Sequence, residues 1–101
     1  MELGSKYENA LLDAAMKKSE ALRLERMTKR IYSAIYLEAT GTIDERKAKA
    51  LVNEKYKEAE DEWLDAEREA NIAQAKADAC EVAFETWRTQ ESTKRAEMTL
   101  R

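Results

Sequence analysis

Four carboxylates, Glu58, Asp61, Glu62 and Asp65, recur at helical spacing. Acids gathered in that way can hold a hard cation or exchange protons with a substrate. Six cations, Lys17, Lys18, Arg23, Arg26, Lys29 and Arg30, form a basic block whose chemistry is phosphate contact, as in nucleic-acid binding. Cys80 is the one thiol. Near the end of the chain, Trp87-Arg88 followed by Lys94 and Arg95 joins an aromatic anchor to basic neighbours, a combination common at protein interfaces. Tyr32 and Tyr36 lie off the main seam of their helix, as a second strip that widens an interface or receives a ligand.

What surrounds these residues narrows the chemistry. The chain has no histidine, which removes a Ser-His triad, the usual zinc sites and the Glu-x-x-His ligands of carboxylate-bridged metal bundles. Its glycines stand only at positions 4 and 41, so there is no glycine-rich loop to cradle a phosphate. Cys80 sits beside Glu81, whereas reactive thiols need an electropositive site. The expectation is therefore no enzyme, no cofactor and no metal site. No aromatic residue interleaves the basic block, so it is no stacking platform for single strands. It reads first as the neutraliser of an acidic block elsewhere in the chain, and second as a nucleic-acid contact.

With 101 residues, one domain spanning 1–101 is expected. Charged residues make up 39%, proline is absent, and Ala, Glu, Lys and Arg abound, which specifies long solvated helices. A net charge of −3 gives no general attraction to nucleic acid or acidic membranes. A lone cysteine and the lack of an apolar leader point to the cytoplasm, and no apolar run approaches a membrane span of roughly 20 residues.

The organising stretch is Val52, Tyr56, Ala59, Trp63, Ala66, Ala70, Ala73, Ala77, Cys80, Phe84, Trp87, in alternating steps of four and three. That spacing holds one seam along one side of a long helix. Upstream, Met1 to Gly4 reads as a disordered lead, and Ser5-Lys6-Tyr7-Glu8 has the form of a capping box. A first helix over about 6–40 would carry its apolar face on Tyr7, Leu11, Ala14, Ala21, Leu24, Met27, Ile31 and Ile35. Gly41 supplies the stop, and Thr42-Ile43-Asp44-Glu45 a second capping box. With a turn at 41–42, a second helix over about 43–99 folds back along the first, giving an all-α antiparallel hairpin.

Opposed positions should then sum to about 83, setting Ala59 against Leu24, Trp63 against Ala21 and Ala77 against Tyr7. The segment 17–30, with six basic and two acidic residues, would lie beside 57–69, with seven acidic and two basic. The second helix would outreach the first by about 30 Å at 1.5 Å per residue. Three outcomes meet that excess: a break near Thr89-Gln90-Glu91-Ser92, pairing with a second copy, or docking of another protein. Pairing is favoured because a two-fold contact lets one patch cover itself. The expected product is a homodimeric four-helix bundle or coiled coil whose dimer or partner interface uses Ala77, Cys80, Phe84, Trp87 and Met98.

The segment Tyr36-Leu37-Glu38-Ala39-Thr40-Gly41-Thr42-Ile43-Asp44-Glu45-Arg46-Lys47-Ala48-Lys49-Ala50, with Trp87-Arg88-Thr89-Gln90, resembles small uncharacterised helical proteins encoded by bacteriophages and prophages. The resemblance runs from Ile31 onward and brings no catalytic residues. It implies an accessory protein in a bacterial host cell, one near recombination functions or acting on host defence or repair. The expected function is accordingly non-enzymatic, a protein partner being scaffolded or inhibited. The rival from another class is a nucleic-acid-binding accessory protein of phage recombination or replication, resting on the basic block.

Overall fold

A computed structural model describes residues 2–100. Three helices follow in order: α1 over Glu2–Glu38, α2 over Ile43–Val52 and α3 over Glu54–Leu100. The described residues contain no strand. The chain is all-α and elongated, 83 Å in its longest dimension against 20 and 14 Å in the others.

α1 starts earlier than expected. Glu2 to Gly4 belong to its first turn, and Ser5 and Glu8 lie inside it, so no capping box operates there. No residue near Ser5 forces a stop, and the first turn has something to pack on: a Cβ placed on Gly4 would lie 3.7 Å from Phe84 Cε2 of α3. Met1 and Arg101, the ends of the expected 1–101 domain, lie outside the described residues.

The turn is larger than two residues. Gly41 has φ +116°, a left-handed conformation that side chains resist, and any Cβ there would collide with the Glu45 side chain. The Thr42 hydroxyl accepts from the Glu45 amide at 3.2 Å and starts α2. Lys49 Nζ donates to the Thr40 carbonyl at 2.7 Å, tying α2 back to the turn.

The expected unbroken helix over 43–99 is broken at Asn53. Its backbone is extended, with φ −66° and ψ 132°, and its side-chain oxygen accepts from the Lys55 amide at 2.9 Å. Asn is among the best N-cap residues, so it ends one helix and begins the next without glycine or proline. α2 thereby becomes part of the reversal, and Val52 leaves the seam, 65% exposed.

The break resets the register. Thr28 meets Ala59, Tyr32 meets Tyr56, Lys17 meets Glu69 and Gly4 meets Phe84, sums of 86 to 88 rather than 83. Ala59 therefore meets Thr28, with Leu24 beside it in one groove, and Ala77 packs in a cluster with Ala14 and Ala73. Trp63 and Ala21 do share one groove. Beyond Trp87, α3 runs on unpaired as one continuous helix for about 20 Å, with no break near Thr89. Thr86, Thr89, Thr93 and Thr99 each donate to the carbonyl four residues back, at 2.8 to 3.0 Å, settling these hydroxyls within the helix.

Candidate interaction surfaces

The seam is lined by small side chains. The buried apolar residues are Ala14, Ala21, Ala50, Ala70, Ala73 and Ala77, joined by Thr28. Methyl groups let two helices approach closely, but each contributes only about 0.8 kcal/mol of burial, against roughly 1.5–3 for a fully buried Leu, Ile or Met. Thr28 fits because its hydroxyl has bonding partners: it donates to the Leu24 carbonyl at 2.7 Å and lies 3.2 Å from the Ala59 carbonyl across the seam.

Aromatic residues close the seam at both ends. At one, Tyr7 and Phe84 have ring centroids 6.1 Å apart, Phe84 and Trp87 6.2 Å, and Arg88 lies 5.8 Å from the Phe84 centroid. At the other, Tyr32 meets Tyr56 edge-on at 5.5 Å, and Arg46 of α2 sits 5.8 Å from the Tyr36 centroid. Tyr32 and Tyr36 are thus half-buried within the hairpin rather than forming an exposed strip. Burial, followed by the nearby carboxylates Glu81, Glu85 and Asp78, holds the Tyr7 hydroxyl above its ordinary pKa. Tyr56 is raised chiefly by the neighbouring Glu60 carboxylate, and then by burial. Because the folded pKa lies above the unfolded one, the stability these groups contribute is complete below pH 10 and is lost as pH rises through the folded values.

The expected interface residues separate. Ala77 is 1% exposed and is taken up by the hairpin's own core. Phe84 and Trp87 are half-buried in the aromatic end, Cys80 is a half-buried free thiol, and Met98 is 75% exposed on the free arm of α3.

The basic block separates as well. Lys17 turns to Asp13 at 3.3 Å and to Glu69 of α3 at 4.0 Å, Arg23 is held by Glu20, and Lys29 by Glu25 at 3.0 Å. The Arg23 bond keeps Glu20 below the usual carboxylate range and raises Arg23 itself. Among the described residues, Lys18, Arg26 and Arg30 have no ion-pair partner within 4.0 Å. Of the carboxylates, Asp65 is bonded to Arg68 at 3.0 Å, while Glu58 and Glu62 rim a groove. No group of three acidic or thiol side chains converges to hold a metal among the described residues.

Met27, expected on the apolar face of the first helix, is 43% exposed, and the other flank residues, Leu22, Leu64 and Ile72, are not singled out by the sequence. Leu22, Met27, Leu64 and Ile72 are 43–49% exposed, and Leu12, Met16 and Val82 63–72%. On one flank, a groove of about 280 Å³ is floored by Leu24, Met27, Ile31 and Ala59 and rimmed by Lys55, Glu58 and Glu62. On the other, a groove of about 370 Å³ runs past Trp63, Ala21 and Leu22 between Lys18, Glu25 and Glu67. The floor of the first groove, Leu24, Ile31 and Ala59, is part of the expected apolar faces, whereas Leu22 of the second lies one step off the seam.

No family model matches the chain, and no curated protein or solved structure matches it. No helix among the described residues is long and apolar enough to cross a membrane.

Proposed function

We propose that this is a non-enzymatic, phage-type accessory protein of the bacterial cytoplasm that pairs with a second copy of itself and scaffolds or inhibits a protein machine of host or phage, such as one of defence, repair or recombination. The phage setting rests on the resemblance of the segment Tyr36 to Ala50. The interaction role rests on one observation: among the described residues the buried apolar ones are all alanine, while thirteen larger apolar side chains stay exposed. A lone two-helix hairpin with that distribution leaves most of its hydrophobic free energy unused, and a covered flank recovers it. The test is to replace Met27, Leu64 and Ile72 together with lysine. The variant should keep its helical circular dichroism while losing self-association and partner capture. Unchanged association would remove the flanks from the account.

A second reading, contact with nucleic acid, draws on Arg26 and Arg30, which line one shallow groove with Arg23 and Ser19. A gel shift that weakens steeply with salt and disappears on reversing Arg26 and Arg30 would favour it. No shift at low salt would remove it.

A further inference from the structure

The two ends of α3 carry matching chemistry. Around its start, the groove floored by Leu24, Met27, Ile31 and Ala59 has a rim that reads Lys55, Glu58, Glu62. On the free arm, the same helix read backwards gives Glu97, Lys94, Gln90, with the same spacing of three and then four residues. Met98 stands beside them, 75% exposed. Within one chain the two ends cannot meet: Ala59 and Met98 are 39 residues apart on one continuous helix, about 58 Å. A second copy running the other way brings them together.

We infer that the C-terminal arm of a second copy, residues 90–98, seats in this groove by a reciprocal antiparallel α3–α3 contact. Lys94 of each copy reaches Glu58 and Glu62 of the other, Glu97 faces Lys55, and Met98 enters the apolar floor beside Ile31. The two-fold axis then falls close to Lys76 and Ala77. The helix surface there is compatible with close approach, carrying Ala79, Ala83 and Ile72, all exposed in the single hairpin.

Charge favours this orientation over a parallel one. The segment 57–69 has seven acidic and two basic residues, and the opposed arm carries Arg88, Lys94 and Arg95 against Glu91 and Glu97. A parallel pair would set the acidic segment on its own copy. The orientation has one unfavourable contact, because the two Lys76 ammonium groups approach each other at the axis.

This inference rests on the self-association proposed above and adds to it the face, the direction and the register. The full chain with Cys80→Ser, Lys55→Cys and Glu97→Cys, a pair directly opposed in this register, should form a disulfide-linked dimer under mild oxidation. The full chain with Lys94→Glu should dimerise at least tenfold more weakly, and adding Glu58→Lys and Glu62→Lys to it should recover much of the loss. Lys76→Ala should tighten the dimer. A dimer that gives no cross-link and ignores the Lys94 reversal overturns the arm-in-groove contact while leaving self-association standing. A chain that stays monomeric up to the highest concentration reached defeats both.

Discussion

The middle of the hairpin and its two ends are built on opposite rules. Between Ala14 and Ala21 on α1 and Ala70 to Ala77 on α3, the helices bury alanine methyl groups against each other. At the ends, Tyr7 with Phe84 and Trp87, and Tyr32 with Tyr56, fill the contact with rings. The middle fixes distance and register, while the ends contribute apolar area. Most of the large aliphatic side chains lie outside both regions and stay exposed. The hairpin is thus closely fitted along its seam and incomplete at its sides.

The sharpest way to break this contrast is to put an end-sized residue in the middle. Ala73→Leu, at a site 2% exposed, should cost about 3 kcal/mol in urea unfolding, at the upper part of the usual overpacking range. A neutral result would mean that the helices are not in close contact there. The converse change, Phe84→Ala, removes a half-buried ring and should cost about 2 kcal/mol, less than a fully buried phenylalanine. Its near-ultraviolet signature should report a changed Trp87 environment.

The seam's one polar member comes next. Thr28→Val keeps the shape and removes the hydroxyl that bonds Leu24 and approaches Ala59, a loss of about 1 kcal/mol. Asn53→Ala should cost somewhat less, about 0.5–1 kcal/mol, by deleting the cap of α3. Faster amide exchange confined to residues near 54–56 would show that the loss is local. The smallest effect belongs to the solvated surface. Glu20 should titrate below its ordinary 4.5 because Arg23 bonds its carboxylate. Its contribution is present above that value and fades as pH falls through the folded pKa. Arg23→Gln should return the Glu20 titration, followed by NMR, toward 4.5.

The all-α hairpin was legible because its determinants are local. The four-three spacing from Tyr56 to Trp87 needs only the helical period, and Gly41 with Thr42 and Glu45 encodes a turn within five residues. Asn53 was missed because asparagine is tolerated within a helix as well as favoured at a cap, and nothing nearby in the sequence decides between these roles. That one residue moved the register by a few positions and with it cross-helix partners such as Thr28 and Ala59. The interface residues fared similarly: Ala77 belongs to the seam on either register, but whether Phe84 stands free or meets Tyr7 depends on the turn. The tyrosines off the seam were assigned no partner, since α2 and its Arg46 exist as a separate element only because of the break. The ion pairs that divide the basic block are mostly within one helix, three or four residues apart, and were open to inspection in the sequence.

The account depends most on the flanks being covered in solution, and sedimentation equilibrium of the full chain across a wide concentration range reads this directly. Reversible association to twice the 11.6 kDa chain mass is the expected result. A stable 11.6 kDa species at the highest concentration would contradict it.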